Sequence, residues 1–390
     1  MTDPTRNERR ILLVMHNWLG YLHGVQLGIA AYLTQRPDWT WMRVLPVVEY
    51  LKYIRSDTVD GIIAYTEPSY VETLRSLNVP VVDVSNWESA GPFPAVLSDD
   101  EGVGRMAGEH LLDLGLTNFA TFGPKAVFSD MRQRGFVNFL AERGFTVNTY
   151  HVPRRAVSRN RKPVGDPNTV LTWLQSLPKP VGIFAAHDPA GAEVLEACRH
   201  HGIRVPEEVC VLGVDNDELI SKFSHPPLSS ISLPTEKIGF GAAKLLDELM
   251  AGGAAPTTPL LYPPVGVISR QSTNLLNIGD AEVLAALRFI RERVHEGVTV
   301  QQLLKVVPVN RRYLERKFLQ HLGRTPLQEI RRVRIEKVKN LLANTDLAMP
   351  AIAKQAGFSN PERMANVFRN TMGMTASEYR RTCKLSYRAS

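Results

Sequence analysis

The chain has 390 residues, 44% hydrophobic and 22% charged, with a net charge of +7. That is ordinary globular composition over a length greater than one hydrophobic core usually spans, so two or more domains are expected. Cys198, Cys210 and Cys383 lie far apart without paired spacing, which excludes a disulfide framework and a cysteine zinc site and leaves reduced, structural thiols.

The charge is unevenly placed. Residues 280–390 carry 21 Lys+Arg against 10 Asp+Glu, a net of +11, which leaves −4 on the rest. A basic segment on a mildly acidic body is the electrostatic footprint of a nucleic-acid-binding module. A basic membrane-surface helix is the rival reading, but these cations are spread over several short helices rather than one amphipathic stretch.

The N-terminus opens polar, and the apolar run at 11–15 is too short for a signal-peptide core or a membrane span, so a cytoplasmic protein is expected. From residue 10 to about 270, apolar runs at 11–15, 61–65, 79–84, 119–122, 181–186 and 209–214 alternate with helical patterns such as 101–115, 129–143, 188–202 and 235–251. Continuous apolar strands bracketed by helices indicate an α/β region with doubly wound parallel sheets. Ligands bind such sheets at the carboxyl ends of the strands. Polar residues collect there: His16-Asn17-Trp18, Ser85-Asn86-Trp87, His187-Asp188 and Asp215-Asn216-Asp217.

A polar stretch breaks this rhythm and sets the boundaries: a sensor at 9–272, a linker at 273–281 and an all-α domain at 282–384. Thr299 with Gln302 forms a capping box for a short helix that Pro308 stops, and Asn310 caps the next, with Leu314, Phe318 and Leu322 on one face. A helix over 326–343 leads to a second helix, turn, helix pattern: 350–356, then Gly357-Phe358-Ser359, then a helix from Pro361 to about Thr371. Two helix-turn-helix units joined by one helix would read DNA.

The string Ile352-Ala353-Lys354-Gln355-Ala356-Gly357-Phe358, followed by Phe368, Gly373, Thr375 and Glu378-Tyr379-Arg380, resembles the AraC/XylS family of regulators. In the first unit Val307-Pro308 and Asn310 depart from that family's usual glycine and serine. The N-terminal region resembles the two-lobed, periplasmic-binding-protein-like LacI-type sensor. The residues carrying this are Asp99-Asp100 with Ala107, His110-Leu111 and Gly115, Arg132 with Gly135-Phe136, His187-Asp188, the run 206–209, Gly213-Val214-Asp215 and Pro227-Leu228. Joined in this order, the two parts resemble the xylose-operon regulator family. The resemblance implies a ligand-responsive activator of sugar utilisation genes, with a monosaccharide such as D-xylose as effector. It also implies double-stranded DNA and a second copy of the chain as partners, leaves RNA polymerase open as a further one, and calls for no membrane.

A sugar site needs charged and amide groups for hydroxyls and an aromatic plane for the C–H face. Arg132 and Asp215 fall where the sensor family places ligand contacts, with the alternative that they form a structural ion pair. His187 stands where asparagine is common. Asn17, Trp18, Asn86 and Trp87 complete the expected effector set, each tryptophan being equally readable as packing. Asp99 and Asp188 each precede a helix and read as caps. For DNA, the start of each second helix should face base edges, which selects Asn310, Arg311, Arg312, Glu315 and Arg316, and Asn360, Glu362, Arg363 and Asn366. In the joining helix Arg332 reads as a phosphate contact and Arg334 as a structural pairing.

An enzyme is the competing class. The chain carries no G-x-G-x-x-G after its first strand, no phosphate-binding P-loop, no G-x-S-x-G and no H-E-x-x-H. No catalytic residue, cofactor or metal is expected. Effector stereochemistry, the operator, and activation against repression are not written in the residues.

Overall fold

The computed structural model describes residues 8–16, 20–85, 92–152, 167–274, 280–322, 324–345 and 347–385. The first apolar run forms the strand Arg9–Val14, central in a parallel sheet ordered Trp39–Val44, Arg9–Val14, Gly61–Ala64, Val81–Asp83. Ile11 is registered between Trp41 and Gly61. Residues 11–14 are buried on both faces, as a central parallel strand requires. Trp39–Val44 is an edge strand absent from the expected set, because its exposed Trp41 and Met42 are flanked by polar residues and leave no continuous apolar run. Helices Gly20–Leu33 and Thr235–Met250 cover one face, packing Val25, Ile29, Ile238 and Leu246 onto Leu13, Ile63 and Val82.

The second sheet has six strands in the order Gly266–Ile268, Ser229–Ser232, Val209–Val214, Val181–Ala185, Asn118–Pro124, Val147–Val152, all parallel except the first. Alternate residues feed opposite faces: Phe122, Ile183 and Val211 pack on one side, Phe184 and Leu212 with Phe136 on the other. Val96–Ser98 and Leu260–Tyr262 pair in a small parallel sheet beside the first. The chain passes between the two lobes near Asp99, Leu233 and Pro264. The expected two-lobed, parallel α/β architecture is therefore what the chain forms.

Seven α-helices follow among the described residues: Ala281–Arg293, Val300–Val306, Arg311–Leu322, Pro326–Asn344, Met349–Gln355, Pro361–Met372 and Ala376–Leu385. The Thr299–Gln302 capping box is present, and Thr325 with Gln328 makes a second. Two small cores hold the two units. Leu303, Leu314, Phe318 and Ile330 belong to the first, while Ile335, Val338, Ile352, Met364 and Phe368 belong to the second. Helix Pro326–Asn344 supplies side chains to both and fixes them relative to each other. Phe318 and Phe368 are fully buried, each worth roughly 1.5–3 kcal/mol. Cys198 and Cys210 are buried, and the Cys210 thiol donates to the Pro206 carbonyl at 3.4 Å.

Candidate effector cleft and DNA-reading helices

A cavity of about 200 Å3 lies between the lobes, walled by the carboxyl ends of strands from both. One lobe contributes His16, Tyr65, Glu67 and Ser85, each just past a strand, together with Tyr21 and Ser98. The other contributes Asp100, Phe128, Arg132, His187 and Asp215. Arg132 and Phe128 stand on helix Val127–Ala141, and Asp100 opens helix Asp100–Asp113.

Arg132 is 4% exposed and organises the cleft. Its Nε donates to Asp100 Oδ1 at 2.8 Å, and one terminal nitrogen donates to the Ala186 carbonyl at 2.8 Å and reaches Asp215 Oδ1 at 3.4 Å. Burial opposes its charge, but Asp100 and Asp215 hold the guanidinium above its ordinary pKa. Burial raises Asp215 to about 6, and Arg132 only partly offsets this. Asp215 sits in the left-handed region at φ 101°, followed by Asn216 at 51°, so the backbone turns sharply after strand Val209–Val214 and sends this carboxylate into the cleft. The alternative of a structural ion pair is thus also realised: Arg132 has both carboxylates as partners.

His187 makes an edge contact with Phe128, and its buried Nδ1 has no hydrogen-bond partner among the described residues. Desolvation, reinforced by Arg132, pushes its pKa down to about 4, so the ring is neutral at pH 7. His16 Nε2 lies 2.8 Å from Glu67 Oε1 across the other wall. The arrangement presents carboxylates, a guanidinium, a neutral imidazole and aromatic edges to one small space, the donor and acceptor set for a polyhydroxylated molecule.

Sequence reading placed Arg132, His187 and Asp215 here, and the structure brings them together. Asn17, Trp18, Asn86 and Trp87 lie outside the described residues. The reading missed Asp100, Tyr21, Tyr65, Glu67 and Phe128 as cleft residues; the signal that would have found Tyr65 and Glu67 is their place at the end of the strand Gly61–Ala64. Asp99 caps its helix through Gly102 N, as expected. Asp188 does not cap its own helix. Its carboxylate accepts from Asp217 N and Ser230 Oγ at 2.7 and 2.6 Å and so braces the loop that carries Asp215.

In the helical domain the expected reading residues fall in the first halves of helices Arg311–Leu322 and Pro361–Met372, or just before them. Asn310 Oδ1 accepts from Tyr313 N and Asn360 Oδ1 from Arg363 N, both at 2.8 Å. Both amide oxygens are committed to helix caps, so neither asparagine offers a complete amide edge to a base. Arg311 pairs with Glu315 at 2.8 Å, and Arg316 lies over the Tyr313 ring. The side chains of Arg312, Glu362, Arg363 and Asn366 are exposed and make no hydrogen bond or ion pair among the described residues. Arg334 donates to the Val298 carbonyl and faces the Phe358 ring, the expected structural role. Arg332 is no free phosphate contact: Glu329 holds it at 2.8 Å and Asp113 lies 3.5 Å away. The similarity string also acquires physical meaning. Gly373 ends the second reading helix at φ 70°, Thr375 and Glu378 cap the last helix reciprocally, and Tyr379 packs edge-on against Phe368.

A family model for a periplasmic binding protein-like domain matches residues 109–273, and one for a helix-turn-helix domain matches residues 303–382. The xylose operon regulatory protein of Haemophilus influenzae is 33% identical over 335 residues, covering 84% of this chain and 86% of its own length. The chain belongs to the xylose operon regulatory protein family. A second member, from Escherichia coli K12, is 30% identical across 95% of this chain and 96% of its own length. Among solved structures, that of a xylose-binding transcription activator is 28% identical, with a TM-score of 0.61 over 96% of this chain and 98% of its own. A LacI family regulator from Enterococcus faecium with bound ribose, 22% identical at a TM-score of 0.54, covers 68% of this chain and shares the fold of the sensor. The xylose operon regulatory proteins are transcription regulators, and with its helix-turn-helix domain this chain is a DNA-binding regulator. Among the described residues no helix is long and apolar enough to cross a membrane.

Proposed function

We propose that this family member is a transcription activator that binds a pentose, D-xylose first, in the cleft between its lobes and thereby changes its grip on DNA. The observation that carries this is Arg132, buried between Asp100 and Asp215 in a space of about 200 Å3. That volume falls below the roughly 300–1,000 Å3 usual for small-molecule pockets, which favours a compact ligand. The carboxylates accept hydrogen bonds from sugar hydroxyls, Arg132 donates, and the His187 Nδ1, without a partner among the described residues, supplies a further polar contact. The names of the relatives supply the sugar. DNA contacts are assigned to Arg312, Arg316, Glu362, Arg363 and Asn366, with Asn310, Arg311, Glu315 and Asn360 setting the helix ends that present them. Boundaries of 9–272 for the sensor, 273–281 for the linker and 282–384 for the reader accompany this reading. A cytoplasmic homodimer that meets RNA polymerase completes it.

The test is DNA affinity of the full chain with and without sugar, by fluorescence anisotropy on a duplex recovered from a random pool by selection on this protein. D-xylose is expected to shift the dissociation constant at least about fivefold, the low end of ordinary coupling. No shift with D-xylose, L-arabinose, D-ribose or D-glucose would overturn the reading.

A further inference from the structure

We propose that helix Asp100–Asp113 is the lever through which the effector cleft acts on the DNA-binding domain, an inference that rests on the sugar reading above. Each end of this one helix is tied to a different functional region. Its first residue, Asp100, is 1% exposed and holds Arg132 at the cleft. Its last, Asp113, meets the helical domain: the main-chain oxygen accepts from Arg324 Nη2 at 2.6 Å, and the carboxylate lies 3.5 Å from Arg332 Nη1 and 4.0 Å from Arg324 Nη1. A cation at a helix carboxyl end is also favoured by the helix dipole. Fourteen helical residues span roughly 20 Å, enough to reach from the cleft to the helical domain.

The lever is stiff. It crosses helix Val127–Ala141 at backbone contact, since a Cβ on Gly104 would lie 1.9 Å from the Arg132 carbonyl oxygen and one on Gly135 2.1 Å from that of Glu101. The two helices therefore move as one body, and whatever pulls on Arg132 pulls on Asp113. On the far side Arg324 and Arg332 clamp the fully buried Glu329 at 2.6 and 2.8 Å. Arg324 lies two residues past the end of the first reading helix, and Glu329 lies on the helix that spans both cores, so displacement of Asp113 reaches both reading helices.

The seam itself is built to shift. Beside Asp113 it leaves a cavity of about 610 Å3, bordered by Glu109 on the lever and by Arg332, Glu336 and Lys339 opposite. Charges facing one another across a gap exchange partners at less cost than interdigitated apolar side chains repack.

The test uses the full chain and Asp113→Asn, with Asp113→Glu to restore the charge and Glu142→Gln as an exposed acid that pairs with Arg143 and not with Arg324 or Arg332. Two quantities are read: the ratio of DNA affinities with and without D-xylose, and D-xylose-induced changes in hydrogen exchange over residues 324–344. Asp113→Asn is expected to keep D-xylose affinity within about twofold, while its DNA ratio falls to within about twofold of one and the exchange change disappears. Asp113→Glu should recover both, and Glu142→Gln should match the parent. Asp113→Asn retaining the parent's full ratio overturns the lever alone. A parent that shows no D-xylose response overturns the sugar reading, and the lever with it.

Discussion

His187 shows how far burial alone sets chemistry at one residue. Its folded pKa of about 4 lies below the ordinary 6.5, so the fold binds fewer protons than the unfolded chain between these values. The stability this neutral ring contributes is fully present above pH 6.5 and is lost as pH falls toward 4. The whole window is worth about 3 kcal/mol. Asp215, raised to about 6, works the other way: its neutral form is favoured at low pH, and that stability is lost as pH rises through 6. The two slopes oppose, so the clean comparison is with His187→Asn. Urea unfolding at pH 7 and pH 4.5 should show the parent losing about 2–3 kcal/mol more than the variant, and parallel losses would refute the assignment. Asp99-Asp100 illustrates what a residue list conceals. Either carboxylate could cap the helix, only one is needed, and the other turns inward to Arg132; nothing in the pair of letters says which. Arg132 and Asp215 were legible because resemblance marks their positions. Asp100 and Glu67 were not, because a carboxylate beside a strand or helix end reads as solvated until the opposite wall is in place.

At the scale of elements, helices with caps and continuous apolar strands were readable, and short or half-exposed strands were not. Val96–Ser98, Leu260–Tyr262 and Gly266–Ile268 have three residues each, below any period that a pattern can declare. The turn at Gly357 was legible in type and is now legible in cause. Its φ is 74°, and a Cβ there would lie 1.8 Å from the Val294 carbonyl oxygen, where the end of the 281–293 helix meets the second unit. Gly357→Ala must strain the backbone and part that contact, a cost of about 2 kcal/mol or more. Denaturation of the full chain should show the helical domain weakened and DNA affinity lowered while sugar affinity is unchanged. Unaltered unfolding would mean that the turn relaxes freely. The reading helices carry a related lesson: in sequence Asn310 reads both as a cap and as a base contact and Asn360 as a base contact, and at both the first need of a helix end is a capping acceptor.

For the whole molecule, the division of charge follows the division of labour. The basic 280–390 segment meets a polyanion, and the mildly acidic remainder encloses a cleft in which two carboxylates meet one guanidinium. Fold class and domain order were readable because each region has its own period and composition; the seam between them was not, since Asp113, Arg324 and Arg332 are ordinary surface charges in sequence. The measurement that tests the account most directly is calorimetric titration of the full chain with D-xylose, beside Asp215→Asn. Asparagine tolerates positive φ, so this variant keeps the turn and removes only the charge. We expect saturable binding in the parent, weakened at least about tenfold in the variant by loss of a charged hydrogen bond. Equal affinity in the two proteins, or no saturable heat in the parent with D-xylose, L-arabinose, D-ribose or D-glucose, would contradict it.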